Sequence, residues 1–175
     1  MERSTPFRVM MVCTGNICRS PIAEVVLRQE LQRQGIDHEV IVDSTGVSSE
    51  EVGNPMDYRA QQVLKAAGYE DLAINQHRAR KTTGVDLGER DLVLAMTRSH
   101  YSLLNRLAAR EGVDIPEGRI KMFRSFDPDN NFTLEDFGID VADPWYGGIA
   151  DFEVCLEEIQ HTVKGIISFL KAQNA

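Results

Sequence analysis

An α/β fold is what this sequence predicts: one domain over residues 1–175, with a central four-stranded parallel sheet and helices on both faces. Three observations carry it. Four short apolar runs, around Val9, Val40, Leu94 and Ile120, have the length and residue types of buried strands. Stretches with apolar residues at helical spacing lie between and after them, and strands separated by helices pair in parallel, with both sheet faces covered. Finally, 175 residues with 42% hydrophobic content suffice for one packed core and are short for two.

Taken in order, Phe7 to Val12 form the first buried strand, which ends at Cys13. Residues 21–34 read as a helix, with Ser20 as its cap, Pro21 in the first helical position and Ile22, Val25, Val26 and Leu27 as its apolar stripe; Gly35 stops it. Residues 39–43 form a second strand, followed by a long polar loop through Gly53, Asn54 and Pro55. Residues 57–67 suit a helix, with Gly68 as its stop, and residues 92–96 a third buried strand leading into a helix over 99–110. Residues 119–123 form a shorter fourth strand, 127–148 a long acidic loop punctuated by Gly and Pro, and 152–171 an amphipathic closing helix. No internal repeat or low-complexity segment interrupts this order.

A formal net charge of −8 argues against a nucleic-acid or anionic-membrane partner, since there is no basic surplus to neutralise a phosphate polymer. The polar start Met1–Pro6 lacks the pattern of a signal peptide, and no apolar run is long enough to span a bilayer. Three cysteines make no disulfide framework, and Cys13 and Cys18, without a second cysteine pair or nearby histidine, are poor zinc spacing. The expectation is a reducing cytoplasm, with neither metal nor cofactor.

The chemistry concentrates where the first strand meets the first helix: Cys13-Thr14-Gly15-Asn16-Ile17-Cys18-Arg19-Ser20, then Pro21. In such sheets ligands bind at the carboxyl ends of the strands. A tight loop opening a helix turns successive backbone N–H groups inward as an anion nest and adds the positive end of the helix dipole. A thiol there has its thiolate stabilised. Arg19 adds a planar two-pronged donor matched to two phosphate oxygens, which lysine does not offer. Gly15 and Asn16 suit the positive φ angles that a loop curling around an anion needs. A bare Cys-x5-Arg also occurs by chance, with a core cysteine and a surface arginine. The strand–loop–helix setting with Gly15, Asn16, Ser20 and Pro21 favours a phosphate-binding loop carrying a nucleophile.

The segment Val12–Glu24 resembles the signature of the low molecular weight protein tyrosine phosphatases. The likeness continues in order through Asp43-Ser44, Gly53–Arg59, His77–Arg80, Leu94–Met96 and Asp143–Gly148. It implies hydrolysis of phosphotyrosine and small aryl phosphates, with tyrosine-phosphorylated proteins or peptides as partners. Carried over by position, Cys13 is the nucleophile, Arg19 the phosphoryl clamp and Asp143 the general acid, which the chemistry needs because an unprotonated leaving oxygen departs slowly. Asp127, also followed by proline, rivals Asp143; the aromatic-Tyr-Gly after Asp143 matches the family's acid loop, and a turn is the alternative reading of Asp127. Thr14, Gly15, Asn16, Ile17, Cys18 and Ser20 line the phosphate loop. Asn16, Ser20, Ser44 and His77 match a supporting hydrogen-bond network, although a loop histidine with purely local bonds is the bland reading of His77. Cys18 reads either as core packing or as a thiol that captures oxidised Cys13. Cys155 reads as core.

Three positions depart from the family pattern. Thr97 stands where aspartate is commoner, Trp145 where tyrosine is frequent, and Glu50 where many relatives place an aromatic beside the substrate ring. Glu50, Trp145 and Tyr146 are therefore the expected substrate slot, with an altered specificity. An arsenate reductase shares the loop but needs two further cysteines mid-chain, and none lies between Cys18 and Cys155. A protein arginine phosphatase carries a small polar residue where Ile17 stands. A non-catalytic phosphate-binding module is expected to have lost Cys13, Arg19 or Asp143.

Overall fold

The computed structural model describes residues 4–173. Strand β1 (Phe7–Cys13) lies in the middle of a four-stranded sheet, between β2 (Val40–Gly46) and β3 (Leu92–Ala95), with β4 (Ile120–Met122) beyond β3. All pairings are parallel. The chain leaves β1 through helix α1 (Arg19–Gln34) to one side, for β2, and later crosses to the other side, for β3. That reversal opens a crevice beyond the carboxyl end of β1, and Cys13 is its last residue.

Alternation along β1 separates two cores. Val9, Met11 and Cys13 face a cluster shared with α1, α2 (Tyr58–Ala66) and α6 (Ile149–Gln173), while Met10 and Val12 face Leu87, Leu104 and Ala108 of α4 (Gly84–Glu89) and α5 (Arg98–Glu111). The sheet thus carries helices on both faces, as the sequence predicts. Every residue of α1 from Arg19 to Leu27 is buried, more than a single stripe, because this half of the helix is enclosed by the sheet and α6. Gly35, Gly68 and Gly112 end α1, α2 and α5 with positive φ, where glycine alone carries no Cβ penalty.

The first helix begins earlier than expected. Cys18 occupies the capping position, so Ser20 and Pro21 lie inside the first turn. Pro21 is tolerated there because a first-turn N–H has no intrahelical acceptor to lose, and Ser20 turns its hydroxyl away from capping toward Cys13. Two further helices have no counterpart in the sequence reading: α3 (Asp71–Gln76) and α4, each too short to show a periodicity. A capping box between Thr83 and Asp86 holds α4. Burial opposes ionisation of Asp86, but hydrogen bonds from Thr83 and Arg80 outweigh it and hold the carboxyl below its ordinary range. The acidic 127–148 stretch is more ordered than a loop. It contains 3-10 turns at Phe137–Ile139 and Pro144–Tyr146, and Val141 N–H donates to the Met96 carbonyl at 2.8 Å, tying the stretch to the end of β3. The closing helix starts at Ile149, where the Gly148 N–H donates to Asp151 at 2.8 Å.

Gly46, at the end of β2, is where the sheet supports the loop after β1. A Cβ on it lies 2.5 Å from the Thr14 carbonyl oxygen and 3.0 Å from Asn16 N, both backbone atoms. Gly46→Ala is therefore expected to destabilise by about 1–3 kcal/mol through overpacking, a fall in Tm of about 2–12 °C for a chain of this size. Scanning calorimetry checks this, and an unchanged Tm shows that the loop yields freely.

Candidate active site

Asn16 sets the shape of the loop from Cys13 to Ser20. It is fully buried and, among the described residues, the single non-glycine with positive φ, at 60°. Gly15 does not adopt a positive φ, contrary to expectation; its lack of a Cβ instead makes room for Glu51, whose Cγ lies 3.1 Å from where a Cβ stands. A left-handed non-glycine residue is disfavoured by roughly 1–2 kcal/mol, and four hydrogen bonds hold this one in place. Asn16 Nδ2 donates to Ser20 Oγ and Ser44 Oγ, each at 2.9 Å, and its Oδ1 accepts from Arg80 N at 3.0 Å. His77 Nε2 bonds the Asn16 carbonyl at 2.7 Å. Ser44 passes the chain on to Glu24, 2.6 Å away, which also pairs with Arg28 at 2.7 Å. Glu24 has no role in the sequence reading, although it closes the quoted signature one turn past Ser20.

With the loop so curled, no backbone N–H from Thr14 to Cys18 donates to another protein group among the described residues. Cys13 Sγ lies 3.0 Å from Ser20 Oγ. Arg19 is 4% exposed. Its Nη1 donates to the Val141 carbonyl at 3.0 Å, and its Nη2 lies 3.3 Å from Asp143 Oδ2. Its Nε–H is buried without an acceptor. An unsatisfied charged donor beside unpaired N–H groups is a site built for an oxyanion, since leaving such a donor without a partner is expensive.

A pocket of 220 Å³ opens over this cradle, bounded by Cys13, Arg19, Asp143, Trp145, Tyr146 and the pair Glu50–Glu51. Thr14, Gly15, Ile17 and Cys18 complete its lining. Trp145 and Tyr146 pack edge to face, 5.0 Å apart, and are 50% and 84% exposed, so they form an aromatic wall open to solvent. Glu50, in the same lining, is exposed. Glu51, which the sequence reading passes over, is held by Asn54 Nδ2 at 2.7 Å. Asp143 begins the Pro144–Tyr146 turn and accepts the Trp145 N–H at 3.1 Å.

The turn that carries Asp143 is fixed by a residue that periodicity and spacing do not single out. Arg59 makes a two-pronged bond to Asp57, at 3.0 and 2.9 Å, and its third nitrogen donates to the carbonyls of Trp145 and Gly147 at 3.2 and 2.7 Å. Its guanidinium also stacks 4.6 Å from the Phe152 ring. Burial works against the Asp57 carboxylate, but hydrogen bonds from Arg59 hold its pKa below the ordinary range. Asp127 lies elsewhere. It pairs with Arg124 at 3.4 Å and His161 at 3.2 Å, and accepts the Asp129 N–H at 3.0 Å, as a turn residue does. Asp127, Asp129 and His161 could together approach a metal ion, but Arg124 disfavours a cation there, and none of the three lines the pocket. Thr97 caps α5 through the His100 N–H at 3.2 Å, so that departure keeps a helix cap. Burial, with Asp57 adding to it, pushes the Cys18 thiol well above its usual range, and burial lifts Cys155 to about 12, so both are neutral thiols near pH 7.

The family described as "Low molecular weight phosphotyrosine protein phosphatase" matches residues 8–175. The chain is 38% identical over 163 residues to a low molecular weight protein-tyrosine phosphatase A of Mycobacterium tuberculosis, covering 93% of this chain and 91% of that one. A crystal structure of a protein tyrosine phosphatase from Entamoeba histolytica superposes with a TM-score of 0.81 at 26% identity, over 97% of this chain and 99% of that one. The structure of an arginine phosphatase from Drosophila gives a TM-score of 0.80 at 26% identity, over 93% and 97%. A match of this extent, on a fold whose sheet ends in the loop described above, means that the chain belongs to the low molecular weight protein tyrosine phosphatases, hydrolases that act on phosphotyrosine.

Proposed function

We propose that this protein hydrolyses phosphotyrosine in proteins or peptides, and small aryl phosphates, through a phosphocysteine intermediate on Cys13. The observation that carries the reading is the buried Arg19 Nε–H without an acceptor, beside a loop of unpaired N–H groups that ends on the Cys13 thiol. The phosphoryl dianion fills that vacancy in the hydrogen bonding. Cys13 Sγ attacks as thiolate, and the Ser20 hydroxyl, 3.0 Å away, turns its proton from the Thr45 carbonyl, at 3.3 Å, to the sulfur. The S–P bond forms as the P–O bond breaks, and Asp143 gives its proton to the departing phenolate oxygen. Asp143 then takes a proton from the water that attacks phosphocysteine, which releases phosphate and the thiolate. Holding that acid over the pocket is the task we assign to Arg59 and Asp57.

We assign specificity to the rim. Glu50 cannot stack on a substrate ring, and with Glu51 it sets two carboxylates in a pocket lining that also holds Trp145 and Tyr146. Peptides with Lys or Arg near the phosphotyrosine are favoured over acidic ones. The setting is a reducing compartment such as the cytoplasm, where Cys13 stays a thiol; no helix among the described residues is long and apolar enough to cross a membrane. On exposure to peroxide, Cys13 becomes a sulfenic acid; Cys18, a neutral thiol at rest, gives up its proton as it attacks that sulfur, forming a disulfide and releasing water.

Separate measurements test the mechanism, the specificity and the redox step. Cys13→Ser abolishes turnover yet still binds inorganic phosphate, and Asp143→Ala lowers kcat on phenyl phosphate about 10²–10⁴-fold, with a much smaller loss on nitrophenyl phosphate. The fall in rate toward alkaline pH disappears in Asp143→Asn; a turnover-competent Cys13→Ser or an unmoved alkaline limb overturns the mechanism. Glu50→Tyr raises kcat/KM on phosphotyrosine peptides by the worth of one aromatic contact, about 0.5–1.5 kcal/mol, and narrows the gap between matched basic and acidic peptides, whereas an unchanged ratio places specificity elsewhere. Mass spectrometry after brief peroxide exposure finds the loop peptide two hydrogens lighter, and Cys18→Ser recovers less activity with dithiol; equal recovery makes Cys18 a packing residue.

A further inference from the structure

One buried imidazole near the cradle has no part in that mechanism. His100, 3% exposed, sits in the first turn of α5, its backbone fixed by the Thr97 cap. Its Nε2 lies 2.8 Å from Thr14 Oγ1, while its Nδ1 is buried without a partner. Burial, reinforced by the charge of Arg19 and opposed by Asp140, pushes its pKa down to about 3, so the ring carries one proton near neutral pH. That proton belongs on Nε2, because an orphaned buried N–H is rarer and more costly than an empty lone pair. His100 therefore donates to Thr14.

The Thr14 hydroxyl then has a defined remainder. A hydroxyl accepts two hydrogen bonds and donates one. Thr14 Oγ1 accepts from His100 at 2.8 Å and, at the long limit of 3.5 Å, from Arg19 Nη2. Its own proton meets no protein acceptor among the described residues, and Thr14 is exposed in the wall of the pocket beside Cys13, Arg19 and Asp143. The same Arg19 Nη2 lies 3.3 Å from Asp143 Oδ2, so Thr14 and the acid approach one corner of the guanidinium. A free donor at that corner suits an oxyanion and not a cation.

We propose that His100 is a positioning residue that orients the Thr14 side chain so that its hydroxyl donates a hydrogen bond to the transferring phosphoryl group, on the side of the cradle where the leaving oxygen is protonated. The proposal rests on the reading of Cys13 and Arg19 as the phosphoryl site and adds to it one side-chain donor and the group that aims it.

The test is kcat/KM on an aryl phosphate together with the competitive inhibition constant of inorganic phosphate, which reports the cradle without the chemistry. Thr14→Val, of the same shape but without the hydroxyl, is expected to weaken phosphate inhibition and lower kcat/KM by about tenfold or more, as loss of a hydrogen bond to a charged group does. Thr14→Ser restores most of both. His100→Leu falls about as far as Thr14→Val, and His100→Gln, whose amide N–H reaches the Nε2 position, recovers most of the loss. Because His100 acts only through Thr14, the Thr14→Val/His100→Leu double variant is no worse than Thr14→Val alone. Wild-type phosphate inhibition in Thr14→Val, or losses that multiply in the double variant, overturns the proposal. If His100→Leu does not fold, the comparisons of Val with Ser at position 14 and of Gln with wild type at position 100 decide it. Turnover by Cys13→Ser, by contrast, brings down the phosphoryl-site reading itself, whatever the Thr14 variants show.

Discussion

The left-handed backbone of Asn16 is the constraint around which the rest of this molecule is arranged. An anion cradle of successive N–H groups requires the chain to reverse its curl between a strand and a helix, and the reversal falls on a residue with a side chain. The cost is offset by saturating that side chain. Its amide bonds Ser20 on α1, Ser44 on β2 and the Arg80 backbone, and His77 takes its carbonyl. These partners come from three separate stretches of chain, so the loop keeps its shape only when the sheet, the first helix and the 77–82 segment are assembled. Arg80 is itself held by Asp43 at 2.6 Å and Asp86 at 3.1 Å, with Arg90 closing the cluster on the same carboxylates. A charge network at the far side of the 77–82 segment thereby bears on the geometry of the cradle.

The turn that carries Asp143, the acid of the proposed mechanism, is held by a second system that meets the first at Arg19. Asp143 stands on a short turn that lacks sheet hydrogen bonds of its own, and Arg59 on α2 ties the carbonyls of that turn to Asp57. The division has a mechanical consequence. Cys13 ends β1 and Arg19 opens α1, while Asp143 and the aromatic wall rest on a loop held by Arg59, by the Val141 N–H on Met96 and, through Val141 and Asp143, by Arg19 itself. Partly independent mounting of the two halves is what a site needs if it must admit a substrate and then bring a proton donor against its leaving oxygen.

Charge also has to be read locally. A chain with a net charge of −8 and two glutamates at the pocket rim looks ill suited to a phosphate dianion. The rim charges, Glu50 exposed and Glu51 half-buried, are screened over about 8–10 Å, whereas Arg19 is desolvated and, with the loop N–H groups, within hydrogen-bond reach of whatever fills the cradle. Short-range donors in a low dielectric outweigh a diffuse field. The acidic rim then acts mainly on the residues that flank the phosphate.

The sequence by itself determined the four strands, the four longer helices, the nature of the loop after the first strand and the identity of its chemical groups. These depend on local pattern: apolar run, Cys-x5-Arg, Ser-Pro and a helix, within a chain of matching motifs. Periodicity could not reveal helices of six residues such as α3 and α4, and the cap of α1 was displaced because the hydroxyl of Ser20 has a better use beside Cys13 than at a helix end. Only the tertiary structure decided which distant residues serve the site. Glu24, Glu51, Arg59 and His100 are ordinary polar residues in sequence, and each acquires its function from what folding sets beside it: Ser44, Gly15, the acid turn and Thr14. The same assembly separated Asp143 from Asp127, two Asp-Pro pairs alike in local sequence, by bringing one to Arg19 and the other to Arg124. Backbone propensity and motif spacing are local and can be read along the chain, but a hydrogen bond or an ion pair between remote residues exists only once the core has fixed their distance.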